Sequence, residues 1–204
     1  MTPFLISGCG RSGTTWAHRL LTDLGFRTRH ENQFSPVSSG PLRVPESAWH
    51  AVPFLESLPK ETRVLRMVRD PYEVARSAAE RPFLGQLDHP HGAFVHRHRP
   101  DITIPSDRLG RAIRWAALWD EPMEIRGDYI LHVEADALTV QRAVGFLTDS
   151  TSPLQQVRKV MDALGTRVNH NSPALRSNGP TREDIDNHPD GALIRARAER
   201  FGYT

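Results

Sequence analysis

An apolar run, PFLIS (residues 3–7), stops at a glycine-spaced turn, GCGRSGTT (residues 8–15), which opens directly onto WAHRLLTDLGF. No other stretch limits the fold as strongly. A short apolar run ending at glycine has the form of a buried parallel strand. From Gly13 the apolar residues Trp16, Leu20, Leu21 and Leu24 recur at helical spacing, and Gly25 supplies the helix stop. Strand, glycine-rich turn and helix in that order aim successive backbone N–H groups at one point, where the helix dipole adds partial positive charge. Gly8, Gly10 and Gly13 permit the tight turn, and Ser12, Thr14 and Thr15 contribute hydroxyl donors. The turn is expected to hold an oxyanion.

The rest of the chain alternates strands with helices. FRTRHE (26–31) reads as a second strand or strand end, 32–45 as a loop rich in Pro, Ser and Gly, and 46–58 as a helix with Trp49, Val52 and Leu55 on one face. TRVLRMV (62–68) is a strand, after which Asp70 as N-cap and Pro71 at the first helical position start a helix. Residues 81–105, with Pro82, Pro90, Pro100 and Pro105 and a histidine cluster, read as a long irregular, lid-like loop. Helices are expected over 106–121, 137–148 and 153–164, a strand over 128–134, a loop over 165–180, and a short helix at the end of the tail. The implied fold is α/β: a three-layer, P-loop-like domain, 1–204, with a central parallel sheet flanked by helices. Ligands of such sheets sit beyond the carboxyl ends of the strands. Residues 8–15, Glu31, Arg69 and Glu134 all fall at such ends.

Composition narrows the partners. The net charge of +2 is too small for a basic nucleic-acid binder. Lys60 and Lys159 are the only lysines, leaving 24 arginines. Coding bias accounts for such a skew, and so does use of the planar guanidinium fork on phosphate or sulfate oxygens. Cys9 is the single cysteine, so neither an internal disulfide nor a cysteine zinc site is expected. No apolar run is long enough to span a bilayer and no signal-peptide pattern precedes Gly8, so the expected setting is cytoplasmic, without membrane partners.

In a nucleoside-triphosphate hydrolase or kinase, a lysine following the last glycine of the loop reaches the β- and γ-phosphates. Thr14 stands there instead, with Arg11 three residues earlier, and no hydrophobic strand ends in a clear magnesium-binding aspartate. Both departures point away from magnesium-dependent phosphoryl transfer. GCGRSGTTW resembles the 5′-phosphosulfate loop of sulfotransferases that use 3′-phosphoadenosine-5′-phosphosulfate. The resemblance implies that Arg11 lies beside the bridging oxygen of the phosphosulfate. It also implies that Gly10, Ser12, Gly13, Thr14 and Thr15 cradle the 5′-phosphate and that Trp16 lies against the adenine. RMVRDPYEVARSAA is similar to the family's 3′-phosphate segment, with Arg69 and Ser77 at the matching spacing. Two turns of helix bring such a hydroxyl back toward the arginine's phosphate. The family's Arg-Lys-Gly loop has no close counterpart here; LRSNG (175–179) stands in its place, and Arg176 is the candidate that remains. The donor is thus expected as co-substrate, with no metal, and the acceptor as a small or carbohydrate-like molecule bearing a hydroxyl or amine.

Sulfuryl transfer needs a base for the acceptor's proton and positive charge on the departing phosphate oxygen. Arg11 and the helix N-terminus supply the charge. Glu31 and His30 are both candidates for the base; some branches of the family use a glutamate from this region, others a histidine further along. A carboxylate base needs its pKa raised by partial burial, or strong assistance from Arg11. His89, His91, His96 and His98 permit a metal site by spacing, an acceptor-facing loop, or a solvated one. Trp115 and Trp119, four apart, read as core packing. A small-molecule kinase with an altered loop, and a non-catalytic nucleotide- or partner-binding protein of the same fold, are the competing readings.

Overall fold

A computed structural model describes residues 3–105, 107–165 and 179–203. Its core element is a five-stranded, fully parallel sheet in the order β2-β3-β1-β4-β5. The strands are β1 (Phe4–Gly8), β2 (Arg29–His30), β3 (Glu46–Ser47), β4 (Arg63–Val68) and β5 (Tyr129–His132). Every residue of β1 is buried, as a strand covered on both faces requires. It pairs with β4 along its length, Leu5 opposite Val64 and Ser7 opposite Arg66. Strand order reverses across β1: β2 and β3 lie to one side, β4 and β5 to the other. In open sheets of this kind, ligands bind where the strand order reverses, which here is the carboxyl end of β1.

Two compact units are distinguished along the chain: residues 3–68 with 122–165, and residues 69–121 with 179–203. The first holds the sheet. Helix α1 (Thr14–Asp23) packs on it together with α7 (Ala137–Thr148) and α8 (Leu154–Leu164). Their shared core includes Phe4, Ile6, Trp16, Leu20, Met67 and Val144, each at most 4% exposed. Full burial of side chains of this size contributes about 1.5–3 kcal/mol each. The stop of α1 is a Schellman turn: Gly25 at φ 92° donates to the Thr22 carbonyl and Phe26 to that of Leu21.

The second unit is helical: α2 (Pro71–Ala79), α3 (Pro90–His98), α4 (Pro100–Thr103), α5 (Arg108–Leu118), α9 (Arg182–Asp186) and α10 (Gly191–Arg200). Asp70 caps α2, accepting from the Tyr72 amide at 2.9 Å, with Pro71 at the first position as expected. Trp115 and Trp119 are fully buried with ring centroids 4.7 Å apart, as a core pair should be. Arg114 clamps Asp190 with two hydrogen bonds of 2.8 and 2.9 Å, and Arg197 pairs with buried Asp120.

Two expectations need correction. Residues 46–58 are not an α-helix: Glu46 and Ser47 form β3, and Trp49–Ser57 is a 3₁₀ segment. Pro53 inside that segment has no N–H for an α-helical ladder, and Glu46 is held in the sheet by its buried carboxylate. Residues 81–105 are not irregular: a 3₁₀ turn (Pro82–Gly85), α3 and α4 occupy most of them. Their prolines stand in first helical turns, where the missing N–H has no intrahelical partner to lose. The tail ends in a helix as expected, α10, and a capping box of Thr181 and Asp184 starts the further helix α9 before it. Among the described residues no helix, including the short α6 (Met123–Arg126), is long and apolar enough to cross a membrane.

Candidate anion loop with an adjacent acid–base pair

The turn joining β1 to α1 is tight at Gly8 and Gly13, where a side chain has no room. A Cβ at Gly8 would meet the Met67 carbonyl oxygen at 2.5 Å. At Gly13 the backbone is left-handed, φ 104°, and a Cβ would sit 2.3 Å from Val133 Cγ2 at the end of β5. The turn closes through Ser12 N–H donating to the Cys9 carbonyl at 3.0 Å. Ser47 Oγ then ties β3 to the first turn of α1 by donating to the Thr14 carbonyl at 2.7 Å.

The positive end of α1 is uncompensated by its own side chains. Its N-cap is Gly13, with no capping side chain and no acidic residue in the first turn. The first N–H groups of a helix have no intrahelical acceptor, and the dipole concentrates positive potential on them. Inside the turn, the Ser12 hydroxyl is buried, the residue 1% exposed, and has no hydrogen-bond partner among the described atoms. A buried hydroxyl without a partner costs about 1–3 kcal/mol. Uncapped amides and an orphaned hydroxyl in one turn fit an oxyanion.

Arg11 occupies the turn at φ 79° and is half-buried. Glu31, just past β2, has φ 50°. With Asp149 they are the non-glycine residues at positive φ among those described. Such conformations cost of order 1 kcal/mol or more and tend to mark functional positions.

His30 connects the loop to Glu31. Its Nε2 lies 3.0 Å from Thr15 Oγ1 and 3.8 Å from Glu31 Oε1. Burial lowers the imidazole from 6.5 to about 4, with His18 and Arg19 adding to the shift. Burial likewise raises the Glu31 carboxyl from 4.5 to about 7, with Glu46 next in effect. Between those values both groups are uncharged, so their 3.8 Å approach is a neutral contact rather than an ion pair. The side chains stay 23% and 28% exposed, so both keep contact with solvent.

Glu46 and His18 belong to the site and carried no motif. Glu46 is fully buried, and its carboxylate accepts from the amides of Asn32 (2.6 Å) and Gln33 (2.9 Å) and from Gln33 Nε2 (3.1 Å). It thereby fixes the chain immediately after Glu31. His18 stacks at a tilt 5.6 Å from His30 and shares a 2.8 Å hydrogen bond with Thr28 Oγ1. Its spacing of three from Thr15 on α1 is the signal that finds it.

Other predicted residues lie elsewhere. Trp16 is a core residue in this structure, 4% exposed, its indole N–H donating to the Gly165 carbonyl at 3.1 Å; it presents no open face for an adenine. In the second unit, Arg69 approaches Glu73 at 3.6 Å, and Ser77 is half-buried on α2. Arg176 lies outside the described residues. His89 Nδ1 accepts from the His91 amide at 3.2 Å and His96 bonds Thr103 at 2.7 Å, so both are engaged within their own segment. Among the described residues no group of three or more His, Cys, Asp or Glu side chains is placed to hold a metal ion. Glu134 is exposed. No protein-family model, curated protein or solved structure matches the chain significantly.

Proposed function

We propose that the protein transfers a sulfuryl group from 3′-phosphoadenosine-5′-phosphosulfate to a hydroxyl or amine of a small or carbohydrate-like acceptor. The observation that carries this reading is the junction in the first unit: an uncapped loop with an orphaned Ser12 hydroxyl is linked through Thr15 and His30 to a carboxyl that titrates near 7. In the proposed step the acceptor oxygen or nitrogen attacks sulfur and its proton passes to Glu31. The bond between sulfur and the bridging phosphate oxygen breaks, and Arg11 with the α1 amides takes the charge that develops there. Glu31 is the better base of the pair. A carboxyl near 7 accepts a proton usefully at neutral pH, whereas an imidazole lowered to about 4 does so weakly. The resemblance of the second segment gives the donor's 3′-phosphate to Arg69 and Ser77.

The test is turnover. Incubating the protein with the donor and a panel of sugars, phenols and amines should release adenosine 3′,5′-bisphosphate only with a competent acceptor. Glu31→Gln should reduce that rate by about 100-fold or more, the usual scale for general-base loss, while donor affinity holds. Turnover that instead requires ATP and magnesium would make the chain a kinase. Nucleotide binding without turnover on any acceptor class would leave a binding protein.

A further inference from the structure

The contact between Thr15 and His30 has two forms, and they differ in what the loop can do. A hydroxyl carries one proton. If His30 Nε2 is bare, Thr15 Oγ1–H donates to it at 3.0 Å, and only oxygen lone pairs remain to face an anion. If Nε2 carries the proton, it donates to Thr15 Oγ1, and the Thr15 hydroxyl proton is released for an oxyanion. Glu31 biases the same choice, because its Oε1 lies 3.8 Å from the same Nε2. An ionised carboxylate there disfavours a bare nitrogen lone pair and favours N–H.

We propose that His30 is a positioning residue whose Nε2–H tautomer turns Thr15 into an anion donor, so that one proton position serves both the loop and the ionised Glu31. This rests on the reading that the loop holds an oxyanion, which the orphaned, buried Ser12 hydroxyl supports independently of Thr15. The groups acting on His30 are those of its surroundings: Thr15, His18 and Arg19 on α1, Glu31 beside it, and, through Glu31, Glu46 of β3. Burial and the neighbouring His18 and Arg19 keep His30 neutral at pH 7, so it is a tautomer and not a second charge that is selected. The arrangement gives the two states of the site different donors. Without an anion, Thr15 and His30 satisfy each other in either form; with one, a single form satisfies all three.

Histidine ¹⁵N chemical shifts of the full chain at pH 7.5 report which nitrogen carries the proton, with inorganic sulfate and then adenosine 3′,5′-bisphosphate as probes. The expected result is His30 with Nε2 protonated and Nδ1 bare when either anion is bound. A bound anion with Nε2 bare overturns the proposal. Affinities for the same probes give the second readout. His30→Leu should weaken binding about tenfold, and His30→Gln, which keeps an N–H in the Nε2 position, should recover most of it. In a Thr15→Val background, His30→Leu should change affinity less than twofold. An undiminished effect there means that His30 acts on the fold and not through Thr15, and overturns the proposal. If sulfate binds and selects the tautomer but the bisphosphate binds no more tightly than sulfate, the nucleotide-donor reading falls and the role of His30 stands. If no anion binds, both fall.

Discussion

Glu31 and His30 are adjacent and carry opposite pH signatures, so removing each in turn isolates the other. The carboxyl is raised from 4.5 to about 7 by burial and then Glu46, and the imidazole is lowered from 6.5 to about 4 by burial and then His18 and Arg19. A carboxyl raised on folding holds its proton more tightly in the native state, so its contribution to stability falls as pH rises from 4.5 to about 7 and stays reduced above. A histidine lowered on folding acts the other way, and stability falls as pH drops from 6.5 to about 4. Each shift corresponds to about 3 kcal/mol, and partial exposure of both side chains brings the expected effect to about 2 kcal/mol. Between pH 4.5 and 6.5 the two slopes nearly cancel in the unmodified protein. Glu31→Gln leaves the histidine slope: stability climbs by about 2 kcal/mol across that window and then levels. His30→Gln leaves the carboxyl slope, and stability falls by a similar amount. Urea unfolding followed by tryptophan fluorescence at half-unit steps of pH, with the m value unchanged, measures both curves. If both variants run parallel to the unmodified protein, neither group is shifted and Glu31 is not poised as a base.

Three further outcomes follow from the loop and its neighbours. Arg11→Gly should be more stable than Arg11→Ala by about 1 kcal/mol in chemical denaturation, because both lose the guanidinium but only alanine keeps a Cβ at φ 79°. Gly13→Ala should destabilise the fold by about 2 kcal/mol or more, since the new methyl meets Val133 Cγ2 and the backbone sits at φ 104°; thermal unfolding reads this directly. Glu46→Gln should move the Glu31 pKa part of the way back toward 4.5, burial being the larger cause, and ¹³C carboxyl shifts through a pH titration would show it.

What could be read from the sequence tracks how local each signal is. The strand, turn and helix at residues 4–23 and the Asp70-Pro71 start are written in neighbouring residues, and the structure has them there. Helix α7 likewise spans Ala137–Thr148, the range expected for it. Strands β2 and β3 have two residues each, too few for any alternation to register, and β3 was absorbed into an expected helix. The prolines of 81–105 read as loop markers in isolation, yet most are helix starters once the following turn is seen. Arg11, Thr15, His30 and Glu31 were all legible as candidates. The group that tunes Glu31 was not: Glu46 is 15 residues away, and only parallel pairing of β3 with β2, Glu46 opposite Arg29, brings it alongside.

The most direct test of the central claim is calorimetric titration with adenosine 3′,5′-bisphosphate in the absence of magnesium, beside ADP and ATP. The account predicts low-micromolar or tighter binding that requires the 3′-phosphate. That binding should fall roughly tenfold or more in Arg69→Ala, the effect of losing one charged hydrogen bond. Equal affinity for ADP, or tighter binding of ATP that appears only with magnesium, would contradict it.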